Sequence, residues 1–184
     1  MRDYTEIPGW FNEEWLYDRM IGHVRDGATF VEVGCWLGKS TAYCARRILE
    51  SGKAIRFVAV DTWEGSPSEP DMTEAVARAG GSVFPLFCAN MEELGVSGSI
   101  HIMKMPSVAA AGLFENGSLD FVFIDADHSR EALQADITAW RPKIRSGGTL
   151  AGHDWHTYRT VQEAVLAILS RDFRVEGNCW IHQR

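Results

Sequence analysis

Apolar positions along the chain follow two periods in turn. Trp15, Leu16, Met20 and Val24 recur at helical spacing and predict a helix over Asn12 to Val24, with Asn12 as its cap. Thr29 to Val33 is a short β-rich run that stops at Gly34, and Lys39 to Ser51 reads as a helix ended by Gly52. Ile55 to Val60 forms a second apolar run, closed by Asp61. Val83 to Leu94 reads as helix, Ile100 to Met103 as strand and Ser107 to Phe114 as helix. Leu119 to Ile124 is nearly continuous apolar sequence, as a strand covered on both faces requires. Leu133, Ile137 and Trp140 mark another helix, and Gly147-Gly148 leads into the strand Thr149 to Ala151. Val161, Ala164, Val165, Ile168 and Leu169 make the clearest amphipathic stripe. Phe173 to Val175 and Cys179 to Ile181, joined by Gly177-Asn178, predict an antiparallel hairpin.

Strand and helix thus alternate repeatedly before a terminal hairpin. The expected architecture is a doubly wound, Rossmann-like α/β fold: a mostly parallel seven-stranded sheet, helices on both faces and an antiparallel C-terminal edge. We expect residues 1–184 to form one domain, with 1–27 as an N-terminal helical cap. Glu64 to Gly81, polar and rich in Gly and Pro, is expected to be a mobile lid loop. In such sheets ligands sit beyond the carboxyl ends of the strands, where the strand order reverses. The informative residues are therefore those at the strand ends.

Composition narrows the possibilities. The chain has 184 residues, enough for a sizeable core, and 46% apolar against 23% charged residues argues against disorder. With 18 basic and 25 acidic side chains the net charge is −7, which disfavours a nucleic-acid partner held by phosphate neutralisation. No apolar run approaches the ~20 residues of a membrane span, and Met1 to Glu6 lacks a signal-like core, so a cytoplasmic location without a membrane partner is expected. The four cysteines lie far apart and read as small buried hydrophobes.

The candidate chemistry begins at Glu32-Val33-Gly34-Cys35-Trp36-Leu37-Gly38-Lys39-Ser40, which follows a strand and opens a helix. Only three residues separate Gly34 from Gly38, so the turn is one residue too short for a phosphate-wrapping P-loop. Trp36 stands where a dinucleotide fingerprint needs its second glycine. What remains is acidic-x-G-x-x-x-G-x-S, a pattern of enzymes that bind S-adenosylmethionine (AdoMet). Gly34 would let the backbone approach the amino-acid part of the ligand. Glu32 would meet its ammonium group, and Ser40 with nearby N–H groups its carboxylate. Asp61, ending the next strand, would accept hydrogen bonds from the ribose hydroxyls. Tight helix packing explains the glycines equally, and capping explains Asp61.

With these motifs the chain resembles the class I AdoMet-dependent methyltransferases over about Thr29 to Trp155. It is most similar to short bacterial enzymes whose fourth strand runs into I-D-x-D-H-S, here Ile124 to Ser129, and whose fifth runs G-G-x-x-x-x-H-D, here Gly147 to Asp154. The catechol and caffeoyl-CoA O-methyltransferases share this order. The resemblance implies that Glu32, Gly34, Trp36, Gly38, Ser40, Asp61, Thr62, Ser107 and Asp125 form the AdoMet site, with Ser107 beside the adenine. It also implies a divalent ion, Mg²⁺, Mn²⁺ or softer, on Asp125, His153 and Asp154. Because His153 replaces an oxygen ligand of the relatives, either the metal is soft or His153 does not bind it.

His128 stands where those relatives carry a catalytic lysine, and a histidine titrating near ~6.5 suits a general base. His128 or His153 would take that role, with Asp127 orienting the histidine or binding substrate; helix capping is the alternative for His128. Trp10, Trp63 and Trp155 are either walls for a planar acceptor or ordinary core. The fourth strand end lacks the N/D-P-P-Y/F motif that grips a flipped base, a further argument against nucleic acid. The expected activity is methyl transfer from AdoMet to a small-molecule hydroxyl, in a monomer or homodimer. A non-catalytic AdoMet-binding module is the alternative, and a P-loop nucleotide-binding protein a more remote one.

Overall fold

The computed structural model describes residues 3–66 and 69–184. Strands β1 (Thr29–Val33), β2 (Arg56–Asp61), β3 (Ile100–Lys104), β4 (Leu119–Ile124), β5 (Ile144–Gly152), β6 (Arg174–Glu176) and β7 (Cys179–Gln183) form one sheet in the order β3-β2-β1-β4-β5-β7-β6. The first five are parallel, while β7 runs antiparallel to β5 and to β6. The order reverses between β1 and β4, so their carboxyl ends open a crevice.

Side chains on the central strands divide by type. Phe30, Phe57, Phe121 and Phe123 point to one face, where they pack with Leu16, Tyr17, Ile48 and Phe87. Val31, Val33, Val58, Val60, Val122 and Ile124 point to the other, against Ile137, Trp140, Val161 and Val165. Successive residues of a strand face opposite ways. A run that looks uniformly apolar is thus an aromatic face interleaved with a β-branched one. Helices α1 (Glu14–His23), α2 (Lys39–Ser51) and α4 (Phe84–Glu93) cover the aromatic side. Helices α5 (Ser107–Ala111), α6 (Arg130–Trp140) and α7 (Arg159–Leu169) cover the other.

The structure departs from expectation in three places. First, the connection expected as a loop over Glu64 to Gly81 contains helix α3 (Pro70–Arg78), with Pro70 in its first turn and Val76 on its buried side. Pro67 and Ser68 of that connection lie outside the described residues. Second, α1 does not start on an Asn12 cap; Glu13 precedes its first turn and makes no side-chain capping bond. Third, Gly147 and Gly148 lie inside β5 rather than before it, at a register shift against β4. A Cβ on Gly148 would come within 2.9 Å of the Leu119 carbonyl oxygen, so the close strand contact requires glycine there.

Asp136 on α6 is a buried acid outside the crevice, 5% exposed, with its carboxyl in contact with the Ser107 hydroxyl. Burial pushes its pKa up to about 6, although Ser107 opposes the shift. The unfolded chain releases this proton near the ordinary value of 3.8, while the folded chain holds it to about 6. Stability from this group is therefore greatest below the lower value and is lost as pH rises to the upper one. Asp136→Asn should flatten that slope and raise stability at pH 7.5 by on the order of 2 kcal/mol. Thermal melts of both proteins between pH 4 and 8 check this, and parallel profiles would refute it.

Candidate active site

Backbone contacts set the first wall of the crevice. Gly34 leaves β1 with φ +87°, and a Cβ there would run into the Asp125 carbonyl at the end of β4 and come within 2.8 Å of Ala126 Cα. The Gly34 amide donates to the Val60 carbonyl at 2.9 Å. Three strand ends thus meet at one glycine. The turn then folds around Asp61: its Oδ2 accepts from the Cys35 and Trp36 amides at 2.7 and 3.0 Å, and its Oδ1 from the Trp63 amide at 2.7 Å. One carboxylate fixes both the glycine turn and the start of the next loop.

Beyond these tips lies a cavity of about 870 Å³, reaching from the N-terminal segment Pro8–Asn12 across the glycine turn to the ends of β4 and β5. Of the residues that the resemblance assigned to the AdoMet site, Gly34, Trp36, Ser40, Asp61, Thr62, Ser107 and Asp125 border it. Glu32 and Gly38 do not. Glu32 is buried beneath the turn, where Tyr17 Oη donates to it at 2.8 Å and the Thr41 hydroxyl donates to its other oxygen. Burial raises its pKa, opposed by hydrogen bonds from Thr41, Ser40 and Tyr17. Gly38 instead packs: a Cβ would meet Met91 and lie 2.9 Å from Phe87, so the glycine admits α4 against α2. Ser107 presents its hydroxyl to Trp140 Nε1 at 2.8 Å, so its side chain also serves the fold. Trp63 is fully buried and Trp155, partly buried, packs on Phe173; neither borders the cavity. Trp10 borders the cavity and is 77% exposed. Lys39 Nζ donates to the adjacent Gly9 carbonyl at 3.0 Å, pinning that segment over the turn.

On the opposite wall, the ends of β4 and β5 bring four ionisable groups together. His128 Nε2 lies 2.9 Å from Asp154 Oδ2 and 3.6 Å from Asp125 Oδ1. His153 Nδ1 lies 3.3 and 3.8 Å from the same two oxygens. Two further acids stand behind the rings: Glu13 Oε1 is 2.7 Å from His153 Nε2, and Glu69 Oε1 is 3.1 Å from His128 Nδ1. Sequence reading missed both acids, which sit in the flanking segments. The pairing with His153 also explains why Glu13 does not cap α1. Tyr158 donates to Glu69 at 2.9 Å and stacks on the His128 ring at 4.4 Å between centroids. Asp127 turns away from this group: its oxygens accept from Ser66 Oγ at 2.6 Å and the Ser129 amide at 2.7 Å. It joins the α3 connection to the start of α6 and also borders the cavity.

Electrostatics alter the expected role of the histidines. Burial lowers the pKa of His128, but Asp125, Asp154 and Glu69 outweigh it and raise it to about 10. For His153 burial is likewise outweighed, by Asp154, Glu13 and Asp125, again giving about 10. Asp154 shows the reciprocal effect; despite burial, the two rings hold it far below the usual carboxylate range. Within this set of side chains both rings carry protons at neutral pH. The surrounding carboxylates thus favour the protonated form of both rings over the free imidazole expected of a general base.

The same groups suit a divalent cation. Donor atoms of Asp125, His128 and Asp154 all lie within 4.8 Å of one another. His128 Nε2 is buried and makes no hydrogen bond, although Asp154 Oδ2 lies 2.9 Å away. The expected ligand set placed His153 where the tightest grouping has His128. Among the described residues no helix is long and apolar enough to cross a membrane.

Residues 31–155 match the family model described as a methyltransferase domain. The chain belongs to that family. It is a class I, AdoMet-dependent methyltransferase, and the match spans the glycine turn and both strand ends of the ionisable cluster. Solved structures agree on the fold. The methyltransferase superposes on the O-methyltransferase NovP with a TM-score of 0.73 at 15% identity, covering 94% of this chain and 79% of that one. An O-methyltransferase from Bacillus cereus, solved as an SAH complex, gives 0.59 at 15% identity, covering 98% and 86%. A putative rRNA-methylase from Clostridium thermocellum gives 0.62 at 14% identity, covering 96% and 100%. The fold is common to enzymes described with different acceptors, so the acceptor has to be argued from the site.

Proposed function

We propose that this methyltransferase moves the AdoMet methyl group to a hydroxyl oxygen of a small molecule. The carrying observation is that two carboxylates and two imidazoles converge on the cavity wall facing the glycine turn. AdoMet lies along the first wall, its amino-acid end at Gly34, Trp36 and Ser40, its ribose at Asp61 and Thr62 and its adenine near Ser107. The sulfonium then faces the ends of β4 and β5.

The reaction breaks the methyl C–S bond and forms a C–O bond, and the hydroxyl proton leaves to the enzyme. Little acid–base work is needed on the donor; orientation and removal of that proton carry the catalysis. Asp125, its side chain 34% exposed, is the carboxylate of the cluster most open to the cavity and receives the hydroxyl's hydrogen bond. His128 and His153 set their ring nitrogens within 4 Å of Asp125 and Asp154. A divalent ion held by Asp125, His128 and Asp154 would supply acidification of a bound hydroxyl.

A small acceptor, rather than nucleic acid or a membrane surface, is supported by the net charge of −7 and by Asp125-Ala126-Asp127-His128 where a base-gripping motif would stand. A single soluble catalytic domain in the cytoplasm, alone or as a homodimer, fits this reading. His128→Ala should keep AdoMet affinity within about threefold and lower turnover by roughly 10- to 100-fold, the scale of losing a group that positions reacting carboxylates. The test measures S-adenosylhomocysteine release over a panel of phenols, sugars and ribosomal RNA. Undiminished turnover would remove His128 from the chemistry, and methylation of RNA alone would overturn the small-molecule assignment.

A further inference from the structure

We propose that Glu13 and Glu69 convert His153 and His128 into paired inner ligands, so that the cluster is a two-histidine, two-carboxylate site for a divalent transition ion rather than for magnesium. This rests on the reading of the cluster as a cation site and assigns the class of cation. The two rings approach it in mirrored fashion. His153 spends Nε2 on Glu13 and turns Nδ1 inward, while His128 spends Nδ1 on Glu69 and turns Nε2 inward. Both inward nitrogens meet the same two oxygens, Asp154 Oδ2 at 3.3 and 2.9 Å and Asp125 Oδ1 at 3.8 and 3.6 Å. A histidine that ligates a metal nearly always donates its other N–H to a carboxylate or carbonyl, which fixes the ring and raises its basicity.

The supporting acids are themselves held. The Glu13 side chain is 4% exposed and its Oε2 accepts the Asn12 amide at 3.0 Å. Glu69 accepts the Tyr158 hydroxyl while Tyr158 stacks on the ring that Glu69 orients. On the far side, Asn178 Nδ2 lies 3.4 Å from Asp154 Oδ1 and donates to it. Two nitrogen and two oxygen donors are a poor set for Mg²⁺, which takes oxygen ligands and keeps several waters. Imidazole nitrogen suits zinc, iron, cobalt and related ions. The acids come from the segment before α1 and from the start of α3, so the two covers of the crevice supply the support of the ligands beneath them.

The test uses the full chain, stripped of metal and titrated with Co²⁺ as probe, reading visible d–d absorption, with AdoMet binding measured separately by calorimetry. We expect one Co²⁺ per chain, insensitive to millimolar Mg²⁺. Glu13→Gln and Glu69→Gln should each weaken Co²⁺ binding 10- to 100-fold, with AdoMet affinity and far-UV circular dichroism unchanged. Because the two glutamates lie on separate segments, misfolding of one variant leaves the other to decide. Absence of a cobalt band, displacement by equimolar Mg²⁺, or wild-type cobalt affinity in both glutamine variants would overturn the proposal and leave the cluster as an ion-pair network. If Co²⁺ binds as described and AdoMet does not, the methyl-transfer reading fails and the metal assignment stands.

Discussion

Gly34→Ala is expected to destabilise the enzyme by roughly 3 to 5 kcal/mol, enough to leave much of it unfolded at 37 °C. Two costs add. The residue has φ +87°, where a side chain is strained. The new methyl group would also enter the Asp125 carbonyl and lie 2.8 Å from Ala126 Cα, and backbone, unlike a flexible side chain, yields little. Relief would require β1 and β4 to separate at their tips, where the register holds Val33 beside Ile124. Gly52→Ala serves as control. It too has positive φ, +68°, but a Cβ there meets nothing within 4 Å, so only the conformational cost of about 1 kcal/mol applies. Urea denaturation of both variants separates strain from collision. Equal losses would show that the strand contact is not what the glycine serves.

The second large effect concerns Asp61. Asp61→Ala should weaken AdoMet binding at least 100-fold. The change removes the acceptor proposed for the ribose hydroxyls. It also leaves the amides of Cys35, Trp36 and Trp63 without their common acceptor, so the turn that faces the amino-acid end of the ligand loses its shape. Hydrogen bonds to a charged acceptor contribute about 1.5 to 3 kcal/mol each, so losing two that matter for the ligand accounts for that factor. Calorimetric titration with AdoMet and with its demethylated product measures it. Unchanged affinity would remove Asp61 from the cofactor site and with it the placement of the ribose.

The chain's local periodicity makes the sheet legible because its signals are short-range. Thr29–Val33 and Lys39–Ser51 end where Gly34 and Gly52 stand, and each glycine has the positive φ that a turn or helix end needs. The alternation of phenylalanine with valine hides inside apolar runs, and only the sheet reveals which neighbours share a face. Helix α3 carries a readable signal, Pro70 followed by Met72, Val76 and Ala79, but the surrounding glycines and prolines outweigh it. The acids behind the histidines are a different matter. Glu13 meets His153, and Glu69 meets His128, only because the fold returns distant segments to one crevice. No spacing along the chain records those pairs. Glu32 and Gly38 fit a cofactor motif in sequence, yet the carboxylate is consumed by Tyr17 and Thr41, and the glycine by α4.

The contact of Gly34 with the end of β4 welds the donor-holding turn to the reacting cluster through backbone alone. Neither half can drift without the other. On the proposed reading, the acceptor is met by the other borders of the cavity, the stretch bearing Trp10 and the residues of α3. On the hydroxyl-methylation reading proposed above, descendants of this scaffold would change acceptor by rewriting those rims while keeping the joined turn and cluster.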